Sequence, residues 1–360
     1  MTISRFHDLA KVLSQHGKFA FEFRDSSWFC NEIYQIMKKF NSKLIKRKSS
    51  TSPKTRKRNS SKTTTQIERK NEQDLRPRLF SLNSPIRCGT SGYSYKSWHM
   101  GPTYQNYYPD KNEFNYYCGE FDTVEINSTF YHIPLDSAFK TWANKVPRSS
   151  FLYTIKANKF FTHMKKLNID EIWIDRWEQF WNKCLLLQSH LGPILFQFPP
   201  GFKKTPMTIS RFHDLAKVLS QHGKFAFEFR DSSWFCNEIY QIMKKYNWCL
   251  CVIDCENSKK WCGDLPNGII PSNINDHKTC DWGVYYRFHG PKGQYRGVYG
   301  EKRMREIAEN TTKYFLNNTN DNSIQLFFYF NNTDSDSPPA AIQDCRYLVQ
   351  AFKDLKIMID

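Results

Sequence analysis

From Ile86 onward the chain repeats one pattern eight times: a short apolar stretch able to form a strand, followed by a segment with helical spacing. The stretches are Ile86 to Thr90, Thr123 to Asn127, Phe151 to Lys156, Ile194 to Phe198, Phe225 to Arg230, Cys249 to Asp254, Val284 to His289 and Leu326 to Asn331. Strands that alternate with helices build a parallel sheet, and eight such units are the number that closes a TIM-type (β/α)8 barrel. The competing arrangement is an open doubly wound sheet, but no G-x-G-x-x-G turn follows the first stretch. The expected fold class is therefore α/β, an eight-stranded parallel barrel over residues 86–360.

The first 85 residues are of another kind. Residues 1–41 copy the 207–247 segment: Met1 to Lys39 reads identically to Met207 to Lys245, and the copies part only at Phe40 against Tyr246. In the second copy Phe212, Leu215, Ala216 and Leu219 fall at helical spacing, Gly223 stops the helix, and Lys224 to Phe229 alternate as a strand. The copied piece is thus one strand of a barrel with its flanking helices, too little to bury a core of its own. It reads as a recent duplication or a gene-model error, with a strand-swapping arm as the alternative. Residues 42–85 contain KRKSSTSPKTRKR and a Ser/Thr-rich continuation, the composition of a disordered basic linker.

Charge follows this division. Between Ser42 and Leu79 there are 13 Lys or Arg against 3 Asp or Glu, so a surplus of 10 of the chain's net +17 lies in the linker. The barrel is only mildly basic. A nucleic-acid partner, if there is one, belongs to the linker, which reads either as a solvated spacer or as a nuclear-import or nucleic-acid patch. The chain opens MTISRFHDLA without an apolar signal core, and no run of 18 apolar residues follows. These features point to an intracellular protein, cytoplasmic or nuclear, with no membrane partner, and to free thiols for its 11 cysteines. Cys249 and Cys251 are expected to face the helices. The oligomeric state is not legible.

Side chains along a strand alternate between faces, so parity separates barrel interior from helix layer. Taking Phe225, Phe227 and Phe229 as outward leaves Glu228 and Arg230 inward. The same division turns Glu125, Asn127, Lys156, Gln197, Asp254, Arg287, His289 and Asn331 inward, each at the C-terminal end of its strand. Such a polar ring is either a self-neutralising network or the lining of a site on the face where TIM barrels keep theirs. His163 follows the third strand. After the seventh runs HGPKGQYRGVYG, with Lys292 and Arg296 among glycines, in a region where this fold commonly grips phosphate.

The chain also resembles the YecE-like family, catalogued as domain of unknown function 72. The motifs that carry the resemblance are CGTSGYSYKSW (Cys88 to Trp98), Tyr108-Pro109, FDTVEINSTFY (Phe121 to Tyr131), Trp142, Lys156, Thr162-His163, LFQFPP (Leu195 to Pro200), FEFRDSSWF (Phe227 to Phe235), YYRFHG (Tyr285 to Gly290) and Phe330-Asn331-Asn332. They span nearly all of residues 86–360, and Tyr93 stands where the family usually has Trp. The resemblance implies a TIM-type barrel and supplies no reaction.

Three chemistries compete. A retaining glycosidase would want carboxylates at the fourth and seventh strand ends, which here offer Gln197 and Arg287, although Glu125 and Glu228 remain an acid/base pair to consider. A metal-dependent phosphodiesterase would need more ligands than His163, His289, Glu125, Glu228 and Asp254 supply; a single divalent metal fits, a multi-zinc cluster does not, and the sequence requires no cofactor. A binding module without turnover would hold a phosphate-bearing ligand on Lys156, Arg230, Arg287 and Arg296, with Tyr93, Tyr95 and Trp98 stacked on it. The first expectation is an enzyme acting on a phosphorylated or otherwise anionic small molecule, with phosphoester hydrolysis as the candidate reaction, Glu228 as general base, Arg287 as charge stabiliser, and Glu125 and His289 as further catalytic residues.

Overall fold

In a computed structural model the described residues are 84–355, except 100–106, 110–111, 147, 220–222, 256–258, 261, 266–277, 314–323 and 335–338. The duplicated segment 1–41 and nearly all of the basic linker lie outside them. Eight parallel strands appear in chain order: β1 (Ile86–Thr90), β2 (Thr123–Ile126), β3 (Leu152–Lys156), β4 (Leu191–Gln197), β5 (Phe225–Glu228), β6 (Cys249–Asp254), β7 (Gly283–Phe288) and β8 (Gln325–Phe330). Each pairs with its chain neighbour from β2 to β8, and β8 pairs with β1. Between β1 and β2 the seam is a single bridge, Ser91 to Glu125, backed by a 2.8 Å bond from the Gly92 amide to the Glu125 carbonyl. The result is a nearly closed (β/α)8 barrel. Asn127, Arg230, His289 and Asn331, counted above as strand residues, lie just past the strand ends.

The longer helices are α1 (Glu113–Glu120), α2 (Asp136–Lys145), α3 (Glu171–Leu185), α4 (Pro206–Val218), α5 (Asn237–Lys245), α6 (Gly300–Thr311) and α7 (Ala340–Asp354), and a short one, Ser128–Tyr131, follows β2. Local chemistry starts two of them cleanly. Asp170 accepts from the Trp173 amide at 2.8 Å ahead of α3, and Thr205 and Thr208 form a reciprocal capping box with Pro206 in the first turn of α4. In α4, Phe212 and Leu215 are the buried positions, and the helix ends at Val218, before the Gly223 expected to stop it.

Two apolar layers follow from strand alternation. The outer one, between strands and helices, is largely aromatic: Phe227, Phe229, Phe198, Phe212 and Trp234 pack within one cluster. The inner one fills the barrel with Leu195, Ala226, Cys249, Cys251, Tyr285, Phe327 and Tyr329. Cys249 and Cys251 thus point into the barrel, not at the helices as expected. β6 is apolar on both faces, so alternation gave no sign of which set turns inward; the larger Leu250 and Val252 join the helix layer, and the thiols fit the narrow interior. Cys88 of β1 and Cys345 of α7 are joined by a disulfide with Cα atoms 6.3 Å apart, so these two are not the free thiols expected. Among the described residues no helix is long and apolar enough to cross a membrane.

Candidate functional site

The barrel interior turns from apolar to charged along its axis. Tyr329 OH marks one polar level, 2.7 Å from both Thr123 Oγ1 and Thr154 Oγ1. Toward the C-terminal strand ends comes a layer of ions. Arg287 of β7 bridges two carboxylates, with Nη2 2.6 Å from Glu125 Oε1 and Nη1 2.6 Å from Glu228 Oε2. Glu125 also accepts from Ser91 Oγ at 2.7 Å and from Tyr285 OH at 2.5 Å. Glu228 accepts from Arg230 Nε at 2.5 Å, and the same guanidinium is paired with it through Nη2. Arg230 Nη2 lies 3.0 Å from His289 Nε2, whose other ring nitrogen is 3.0 Å from Asn331 Nδ2. Glu125, Glu228, Arg287, Arg230 and His289 are all buried.

These contacts decide protonation. Burial alone would raise the Glu228 pKa, but Arg230 and Arg287, with His289, outweigh it and hold the carboxyl well below its usual range. Burial would likewise strip charge from Arg287, yet Glu125 and Glu228 raise its pKa and keep it cationic. His289 is pushed down to about 3 by burial and by Arg230, so it stays neutral. A carboxylate held between two guanidiniums is a weak base. Glu228 is therefore better placed to orient Arg230 and Arg287 than to take a proton from a substrate.

Lys156 stands apart at the rim. Its backbone is fixed by Thr129, whose Oγ1 donates to the Lys156 carbonyl at 2.7 Å, and its Nζ lies 4.4 Å from the centre of the Phe130 ring. Among the described residues the amine makes no ion pair and no side-chain hydrogen bond, because both nearby carboxylates are engaged by arginines. Burial, then Arg287, lowers its pKa to about 7. His163 meets the same Phe130 ring edge-on, 4.9 Å between centres, with Nδ1 2.9 Å from Thr162 Oγ1. Its pKa falls to about 4 through burial and the nearby Lys156 and Arg230.

Gln197, opposite Glu228 in the β4–β5 register, is half-buried and donates to the Phe198 carbonyl at 2.6 Å. Asn127 reaches the Ser91 carbonyl at 3.3 Å, and its buried Oδ1 has no partner among the described residues. Asp254 does not join the ring: with Cys251 inward it turns outward, to Arg303 of α6 at 3.3 Å. Its burial raises its pKa, and Arg303 partly offsets this. Nor do the aromatics form the expected stacking platform. Trp98 is fully buried against Tyr95 and Tyr108, and Tyr93 packs on Phe114 and Tyr117 of α1, so these rings are engaged with one another and with α1. Tyr95 remains near the ring through its hydroxyl, which donates to the Ser91 carbonyl. Lys292 and Arg296 are exposed on the loop after β7.

Ser91, Tyr285, Thr129 and Phe130 were not among the expected site residues. Parity could have found the first two, since Ser91 continues the inward series of Arg87 and Gly89, and Tyr285 precedes Arg287 by two. Alternation marks neither Thr129 nor Phe130, which reach β3 from the short helix Ser128–Tyr131 after β2, although both lie within the FDTVEINSTFY motif.

Among the described residues no three His, Cys, Asp or Glu side chains converge as metal ligands. The fold resembles solved structures of DUF72 family proteins. One from Thermotoga maritima has a TM-score of 0.58 at 24% identity, covering 75% of this chain and 99% of its own. One from Enterococcus faecalis has a TM-score of 0.58 at 17% identity, covering 74% and 95%. No curated protein matches the chain. The family model described as protein of unknown function DUF72 matches residues 87–357, the whole barrel with its charged ring, and the chain belongs to that family.

Proposed function

We propose that the barrel is an enzyme that takes a small anionic substrate, phosphorylated or carboxylated, at the C-terminal ends of its strands. The observation that carries this reading is the charge balance of the ring. Two carboxylates face three cations, both carboxylates are already in contact with guanidiniums, and Lys156 is left without a counter-ion. A cationic surplus partly withdrawn from water is costly unless something neutralises it, and an arriving anion would do so. Glu228 and Arg287 then act as a rigid support, while Lys156, Arg230 and His163 line the side from which a ligand enters.

The reading is tested with sulfate, whose charge is constant near neutrality. Because an anion favours the protonated amine, binding should be accompanied by proton uptake at Lys156. Affinity should fall as pH rises through about 7 and above, where the unliganded amine is neutral. Of the charged groups around the amine, Arg287, Arg230, Glu228 and Glu125, the raised pKa of Arg287 and the lowered pKa of Glu228 keep both charged across that range, and His163 is already neutral. Calorimetry in buffers of different ionisation enthalpy measures the uptake. Sulfate binding that Lys156→Met leaves unchanged, or that is insensitive to pH, would refute the anionic site.

A further inference from the structure

An amine that lacks a counter-ion beside two guanidiniums can do more than attract charge. A lysine becomes a nucleophile when it is desolvated or set next to other cations, since both favour the free lone pair. Lys156 meets both conditions. It ends β3 on the inward face, with Phe130 as an apolar wall at 4.4 Å and no acceptor among the described residues to hold its proton. Thr129 fixes the strand end through the Lys156 carbonyl, and Asn158 Nδ2 ties Thr129 in turn at 2.8 Å, so the amine projects from a rigid base. Exposed Lys159, three residues on, has none of this.

We infer that Lys156 is a carbonyl-reactive amine that forms an imine with a small anionic aldehyde or ketone entering the strand-end site. This rests on the anionic-substrate reading and deepens it by naming the reacting group and the substrate class. The Nζ lone pair attacks the carbonyl carbon, a C–N bond forms, and the carbonyl π pair moves to oxygen, which takes up a proton. The carbinolamine then loses its hydroxyl as water while the nitrogen proton is released, leaving C=N. Amine and carbonyl give imine and water, with no change of oxidation state. Once the imine is protonated it carries a positive charge in a site already rich in cations, and the substrate's own anion supplies the missing counter-charge. Neutral His163, which meets the same Phe130 ring, is placed to relay the proton.

The test is borohydride trapping on the full chain with two small probes, glyoxylate, which bears an anion, and acetaldehyde, which does not, followed by peptide mass mapping. Reduction should leave Lys156 as a secondary amine, heavier by the aldehyde less one oxygen atom. At neutral pH its labelling by glyoxylate should run on the order of a hundredfold faster than that of Lys159, since an ordinary lysine is almost fully protonated there. The Lys156 rate should be half-maximal near pH 7. Lys156→Arg should lose the label and keep its melting temperature within a few degrees. Preferential labelling by glyoxylate supports both readings. Equal labelling by the two probes supports the imine and removes the anion requirement. Labelling of Lys156 no faster than of Lys159 overturns the imine proposal, and sulfate binding, measured separately, then shows whether the anionic site survives it.

Discussion

At Glu228 one carboxylate touches Arg230 and Arg287 inside a layer with almost no solvent, so its removal takes a buried counter-charge from both guanidiniums and leaves Glu125 as the carboxylate of Arg287. Glu228→Gln is therefore expected to destabilise the barrel by roughly 3 to 5 kcal/mol, read as a lower urea midpoint or melting temperature. Its pKa is depressed in the fold, so its contribution is fully present above the ordinary carboxylate range and is lost as pH falls toward the lowered value. The wild-type advantage over Glu228→Gln should accordingly shrink in acid. Lys156 predicts the opposite sign. Its pKa is lowered, so the folded state gives up a proton that the unfolded chain keeps between about pH 7 and the usual lysine range, and stability is smaller at neutral pH than it would be without the amine. Lys156→Met should raise stability at pH 7 by about 0.5 to 2 kcal/mol, as residues kept for function often do. A loss of stability in that variant would mean that Lys156 supports the fold.

At the scale of elements, loops rather than strands fix the approach to the ring. Gly263 sits at φ +71°, and a Cβ there would fall 1.9 Å from the Arg230 carbonyl oxygen. Gly263→Ala must displace the segment after β5 or distort the Gly263 turn. It is expected to cost on the order of 1 to 3 kcal/mol and to weaken sulfate binding together with stability. Gly290, at φ +109°, lets the loop after β7 fold back so that the Lys292 amide meets the Arg296 carbonyl at 3.1 Å. The glycines of that loop thus shape the turn itself. α7 reinforces it: Asp344 accepts from the Tyr299 and Gly300 amides at 3.1 and 3.0 Å, and from Asn332 Nδ2 at 2.7 Å.

For the whole molecule, all eight strands and the connections of β5 lie at or beyond Ile86, so a chain beginning at residue 84 should unfold cooperatively with a midpoint close to that of the full chain. Loss of cooperativity or precipitation of the shortened chain would make the amino-terminal copy structural. The basic segment 42–85 is proposed as the place for any nucleic-acid contact. Binding by the full chain should then weaken steeply with salt, show no sequence preference, and disappear in the shortened chain. Equal binding with an equal salt slope after shortening would transfer that role to the barrel.

Periodicity alone carried the number of strands, their order and the inward direction of Glu125, Lys156, Gln197, Glu228 and Arg287, because each of those strands has one apolar set and one set that is not. It failed at β6, where both sets are apolar, and Asp254 was misplaced with the cysteines. The Tyr93, Tyr95 and Trp98 motif announced an aromatic cluster, but whether rings pack on α1 or on a ligand depends on a helix many residues away. Sequence determined that charge would gather at the C-terminal ends of the strands. Only the tertiary structure decided how it is shared, because pairing among residues on strands 2, 5 and 7 is a matter of distances across the barrel: Arg287 takes both glutamates, and Lys156 is left with none.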